Sequence, residues 1–129
     1  MASLLDYKGN ETILVVDDEM MIRNFLSCLL EDLGYNVMTA EDGDEAVDKF
    51  YQHKDSINAV VMDVMMPNKD GVTAYWDMLD MKSDANILLM SGFDNSVFPH
   101  KFTRIPIIPK PFSSEEIVKK IRASLDKAS

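Results

Sequence analysis

Ile13-Leu14-Val15-Val16-Asp17-Asp18-Glu19 joins an unbroken apolar run to three consecutive acids. The run is rich in β-branched residues and has no polar alternation, so it reads as a strand buried on both faces. A helix is expected next, because Ile22, Phe25, Leu26, Leu29, Leu30 and Leu33 recur at intervals of three and four between Glu19 and Leu33. Gly34 follows directly, where a helix stop calls for it. A strand with two buried faces needs helices on both sides of its sheet, and that requirement decides the fold class.

The same unit recurs along the chain. Residues 36–40 form a second strand, and 42–53 a helix with Ala46, Val47, Phe50 and Tyr51 on one face and acids in its first turn. Ala59-Val60-Val61-Met62 is a third strand, followed by the turn cluster Pro67-Asn68-Lys69-Asp70-Gly71 and a helix over 72–81. Ile87-Leu88-Leu89-Met90 is a fourth strand, and 105–108 a fifth whose Pro106 suits a sheet edge. Ser113 and Glu116 form a capping box for a last helix, striped by Ile117, Val118, Ile121 and Leu125. A further helix is expected between 91 and 105, where Pro99 predicts a short or irregular one. Strands alternating with helices imply parallel pairing through right-handed crossovers, hence an α/β, doubly wound, five-stranded parallel sheet.

Composition narrows the function. The 129 residues include 13 basic and 22 acidic side chains, a formal net charge of −9, which argues against direct nucleic-acid binding. The length suits one domain over 1–129, with a core of about 11–127. The single cysteine, Cys28, forms no internal disulfide and reads as a half-buried filler. Apolar runs fall far short of the roughly 20 residues of a membrane span, and no leader is visible, so a cytoplasmic protein without membrane insertion is expected. His53 and His100 stand alone, without a ligand partner. The acids Asp42, Asp44, Glu45 and Asp48 read as a solvated face.

In an open parallel sheet, ligands bind beyond the C-terminal strand ends. There the first polar residues are Asp17 and Asp18 after strand one, Asp63 after strand three, Ser91 after strand four and Lys110 after strand five. Asp63 lies among Val61, Met62, Val64, Met65 and Met66, so its carboxylate needs a compensating partner that the two other acids cannot be. An oxygen-only cluster without His or Cys favours Mg2+. Lys110 adds a second positive charge and Ser91 a hydroxyl. That set suits phosphoryl transfer to a carboxylate, with Asp63 attacking in line while metal, Lys110 and Ser91 stabilise the moving oxygens.

From Thr12 to Leu125 the chain resembles the receiver domains of two-component response regulators, including receivers of hybrid sensor kinases and stand-alone regulators. The resemblance rests on Val-Val-Asp17-Asp18-Glu19, Met62-Asp63 with Met66-Pro67 and Asp70-Gly71, Met90-Ser91-Gly92, and Lys110-Pro111-Phe112. It implies a flavodoxin-like (βα)5 fold with strand order 2-1-3-4-5. Asp63 would be the phosphoacceptor, with Mg2+ (Mn2+ able to substitute) on Asp17, Asp18, Asp63 and the Met65 backbone carbonyl. Ser91 and Lys110 would bind the phosphoryl oxygens, and the Lys110–Pro111 bond would be cis. The implied partner is a sensor histidine kinase or a histidine phosphotransfer protein. The domain would catalyse its own phosphorylation and dephosphorylation without turning over a separate substrate.

Three positions depart from that family's pattern, in two respects. Ile107 stands where such domains usually carry an aromatic switch residue. Met65 and Phe93, two residues beyond Asp63 and Ser91, flank the path of the hydrolytic water in such domains and here cannot hydrogen-bond it strongly. A different output readout and a slow loss of the phosphoryl group are therefore expected. Competing classes fare worse. An aspartyl-phosphate phosphatase or phosphotransferase commonly shows a second Asp where Met65 stands. An interaction-only pseudo-receiver would lack Asp63, Lys110 or the acidic pair. A flavin-binding relative would need a phosphate-cradling loop where Asp17-Asp18-Glu19 would repel phosphate.

Overall fold

The computed structural model describes residues 3–92 and 105–128. Five parallel strands, β1 (Thr12–Val16), β2 (Asn36–Ala40), β3 (Ala59–Asp63), β4 (Ile87–Ser91) and β5 (Ile107–Pro109), form one sheet in the order β2-β1-β3-β4-β5. Four α-helices lie among the described residues: α1 (Met20–Asp32), α2 (Gly43–His53), α3 (Gly71–Met81) and α4 (Ser114–Ala128). A short 3-10 helix, Leu4–Tyr7, precedes β1. The expected irregular helix between 91 and 105 lies outside the described residues, as does Phe93.

Strand alternation builds two cores. Ile13 and Val15 of β1 and Ala59 and Val61 of β3 pack with Leu26 and Leu30 of α1 and Ile117, Val118, Ile121 and Leu125 of α4. Leu14, Val16, Val60 and Met62 face the other way, onto Ala46 and Phe50 of α2 and Ala74 and Met78 of α3. All five residues of β3, the central strand, are buried, which is why its sequence shows no polar alternation.

The helix ends follow their local chemistry. At the end of α1, Gly34 takes a φ of 100°, its N–H donates to Glu31 O at 3.0 Å, and the Tyr35 N–H donates to Leu30 O at 3.1 Å. That pair of bonds is a Schellman stop, and it returns the chain into β2. Asp42 and Asp70 cap α2 and α3 by accepting from the Glu45 and Thr73 N–H groups, each at 2.8 Å. Ser113 and Glu116 close the capping box of α4 through contacts of 3.1 and 3.3 Å.

Some expectations shift. β5 begins at Ile107 rather than 105, because Pro106 has no N–H to donate, although its carbonyl still accepts from Leu89 N at 2.9 Å. Cys28 is exposed on α1, not half-buried. Tyr51 is also exposed, one position past the buried Phe50, and the Lys54 ammonium sits 4.7 Å from its ring centre.

Candidate functional site

Register brings the acids together. Val16 pairs with Met62 across β1 and β3, so Asp17 stands level with Asp63 at the top of the sheet. The Asp17 N–H still donates to Ala40 O at 3.2 Å, so the strand geometry continues to this residue. Asp17 and Asp63 therefore extend the series Ile13, Val15 and Ala59, Val61 on the α1–α4 side of the sheet. Asp17 is fully buried, Asp63 is 7% exposed, and Asp18 is open to solvent. One carboxylate oxygen from each of the three lies within 4.8 Å of the others.

Lys110 reaches this cluster from the end of β5. Its ammonium is 2.9 Å from Asp63 Oδ1 and 3.2 Å from Asp17 Oδ2. The Lys110–Pro111 peptide bond is cis. The Lys110 N–H donates to Ser91 O at 2.8 Å, which ties the strand end to β4. Ser91, the last residue of β4, is buried one step beyond Met90, the register partner of Asp63.

Charge does not balance here. Three carboxylates face one ammonium. Burial pushes the Asp63 carboxyl above its ordinary range, the Lys110 hydrogen bond pulls it back, and Asp17 and Asp18 push it up again. Burial pulls the Lys110 ammonium down, but Asp63 and Asp17 together outweigh that and leave it more firmly protonated than usual. A divalent cation would cancel the surplus negative charge, and the all-oxygen donor set fits a hard one. The acidic triad is therefore a group of carboxylates that could hold a metal ion.

The surroundings hold this geometry. Asp17 Oδ1 accepts from the Glu19 N–H at 2.9 Å, which locks the turn into α1. Arg23 Nη1 donates to Asp17 O at 2.7 Å, and its Nη2 lies 3.7 Å from Glu41. Gly71 packs directly behind Asp63, since a Cβ there would lie 2.2 Å from Asp63 O. Met65 follows on the loop, 59% exposed. Ile107 is half-buried against the α2–α3 core, in register with Leu89. An apolar groove lined by Ile22, Phe25, Pro111 and Phe112 borders Lys110 on the α1 side.

Arg23 and the loop contacts of Asp42 and Asn68 escaped the sequence reading, because each joins residues with no recognisable local spacing. Of the acids read as solvated surface, Asp42 accepts from Asn68 Nδ2 at 2.8 Å, Asp44 lies 3.7 Å from Lys69, and Glu45 pairs with Lys49 at 3.0 Å.

Residues 13–122 match the family model of the response regulator receiver domain. The chain is 37% identical over 127 residues to the transcriptional regulatory protein ResD of Bacillus subtilis, covering 97% of this chain and 52% of that protein. It is similarly 37% identical over 127 residues to the probable transcriptional regulator ycf27 of Porphyridium aerugineum, covering 92% of this chain and 51% of that protein. The chain thus spans about half the length of these curated relatives. Among solved structures, the response regulator TrrA of Thermotoga maritima, in complex with Mg2+ and BeF, superposes with a TM-score of 0.80 at 30% identity, over 88% of this chain and 98% of that one. The receiver domain of the hybrid histidine kinase CckA superposes with a TM-score of 0.76 at 28% identity, over the same shares. No helix among the described residues is long and apolar enough to cross a membrane.

Proposed function

The chain belongs to the response regulator receiver domain family, and from that premise we propose that it is the phosphoacceptor of a two-component phosphorelay. The single domain, with its core over about 11–127, takes a phosphoryl group onto Asp63 from a phosphohistidine on a sensor kinase or histidine phosphotransfer protein in the cytoplasm. The observation that carries this reading is the contact between Lys110 and Asp63 inside a triad of acids at the strand ends. The Mg2+ and BeF in the TrrA complex support the same assignment by likeness.

In the reaction, a carboxylate oxygen of Asp63 bonds to phosphorus as the phosphorus–nitrogen bond of the donor histidine breaks, and the imidazole leaves with the bonding pair. Asp63 needs no general base, because an ionised carboxylate is already a nucleophile. Lys110, released from part of its hold on Asp63, binds a phosphoryl oxygen, and the Ser91 hydroxyl donates to another. Asp17, Asp18, Asp63 and the Met65 carbonyl would hold Mg2+, which would neutralise charge on the phosphoryl oxygens. The apolar groove beside Lys110 offers a protein donor a place to rest near Asp63. Hydrolysis of the aspartyl phosphate later returns the domain to its starting state. With Ile107 at the switch position, the phosphorylated state is read out without the usual aromatic rotation.

Incubation with acetyl phosphate and Mg2+, followed by intact-mass measurement, tests the chemistry. Wild type should gain one phosphoryl group and Asp63→Ala none. Gain by both, or by neither, refutes the assignment.

A further inference from the structure

The loop between β3 and α3, residues 64–70, is fastened at both ends. At its base, the Gly71 N–H donates to Val64 O at 2.8 Å. Its tip is fastened to a different element, the N-terminus of α2. Asp42 has two carboxylate oxygens with two duties: Oδ1 caps α2 at Glu45, and Oδ2 accepts from Asn68 Nδ2, both at 2.8 Å. One residue on, the Gly43 N–H donates to Lys69 O at 3.1 Å, and a Cβ on Gly43 would lie only 2.2 Å from that oxygen. Lys69 then bridges α2 and α3, with its ammonium 3.7 Å from Asp44 and 2.5 Å from Asp77. Asn68 holds a φ of 68°, the left-handed region that Asn and Gly tolerate.

We infer that Asp42 and Asn68 are positioning residues for the metal site, because their hydrogen bond clamps the loop that carries the Met65 carbonyl to the N-terminus of α2. The inference rests on the proposed role of that carbonyl as a metal ligand. Neither clamp residue touches the acidic triad. Their effect passes through the backbone between 65 and 68, which is anchored at Gly71 on one side and at Asp42 and Gly43 on the other. A loop already held in place loses less freedom when its carbonyl is engaged, so the clamp tightens metal binding by preorganisation. The acids at the start of α2 thereby serve the site without being ligands.

The test is Mg2+ binding to the full chain, followed by amide chemical shifts, with thermal unfolding measured in parallel. The chain has five glycines, which makes the Gly43 and Gly71 amides tractable reporters. Asn68→Gly keeps the left-handed backbone and the net charge but deletes the amide. It should weaken Mg2+ binding on the order of threefold to tenfold. In the metal-free protein, the Gly43 amide should exchange faster. The swapped pair Asp42→Asn with Asn68→Asp keeps the charge, the cap and a hydrogen bond of reversed polarity, and should bind Mg2+ within about twofold of wild type. Asn68→Gly binding as tightly as wild type, with only a lowered melting temperature, would show a structural role alone and overturn the inference. A swapped pair as weak as Asn68→Gly would overturn it too. A wild-type chain that fails to bind Mg2+ refutes the metal-site reading itself, and this inference with it.

Discussion

Replacing Gly71 by alanine should damage the fold and the site together. Gly71 is the first residue of α3 and abuts the carbonyl of Asp63. An added Cβ would lie 2.2 Å from Asp63 O and 2.9 Å from Val64 Cα, both backbone atoms, where real Cβ atoms stay beyond 3.0 Å. A flexible side chain could swing aside, but here the neighbour is the central strand. Relief requires α3 to lift off or Asp63 to shift by nearly an ångström. Overpacking of a rigid neighbour costs about 1–3 kcal/mol, and contact with backbone on two atoms places this case near 3. For a chain of this length that corresponds to a fall in melting temperature of roughly 10 °C. Asp70→Ala is the comparison, because it deletes only the cap at Thr73, worth about 1 kcal/mol. The assay is thermal unfolding by circular dichroism, paired with phosphorylation by acetyl phosphate read as mass. Gly71→Ala should melt well below Asp70→Ala and phosphorylate more slowly than it at a temperature where both are folded. A Gly71→Ala protein that melts within a degree or two of wild type would refute the claim that α3 is seated against Asp63 without clearance.

Removing Lys110 as Lys110→Ala deletes both of its ion pairs in the triad, and should slow phosphorylation about 100-fold in a time course by intact mass. Saturating Mg2+ should raise the melting temperature of wild type, by the equivalent of about 1.4 kcal/mol at ten times the dissociation constant, and chelation should reverse it; Asp17→Asn should respond far less. Far from the site, Arg122 pairs with Glu11 at 3.0 Å through Nη1 and at 2.5 Å through Nη2, and its hydrogen bond holds the Glu11 carboxyl below its ordinary range. A carboxylate so held stabilises the fold above its unfolded pKa and loses that contribution as pH falls through its folded one. Wild type should therefore be more resistant to urea than Glu11→Gln at pH ~7, with the gap closing toward pH ~3. Met65→Asn combined with Phe93→Glu should shorten the lifetime of the aspartyl phosphate in a mass-based decay assay, and an unchanged half-life would remove shielding by these two residues as the cause.

What was legible in the chain was whatever depends on near neighbours. Buried strands announce themselves because a residue with apolar atoms on both sides of a sheet leaves no room for polar alternation, as Val60, Val61 and Met62 show. Caps at Ser113 and the stop at Gly34 are local hydrogen-bond problems with local answers. Strand ends mark Asp17, Asp63, Ser91 and Lys110, because each is the first polar side chain after an apolar run. The edge strand was misplaced by two residues at its start, since periodicity does not register the missing N–H of Pro106.

Tertiary structure decided the rest. Asp17 and Lys110 are 93 residues apart, and only the parallel register across β1, β3, β4 and β5 sets their charges 3.2 Å from one another. Pairing of Arg122 with Glu11 spans 111 residues. Asp42 read as one acid among several in a solvated run, yet folding gives it a cap and a partner in Asn68. Cys28 and Tyr51 fall on the exposed side of their helices, although Cys28 reads as a half-buried filler and spacing places Tyr51 on the face of Ala46 and Phe50. Apolar patterning by itself determined which segments are strands and helices, and which carboxylates stand at the rim, because both follow from burial along a local path. Distances among those carboxylates, and the clearance behind Asp63, depend on how separate segments pack, which no single stretch of sequence encodes.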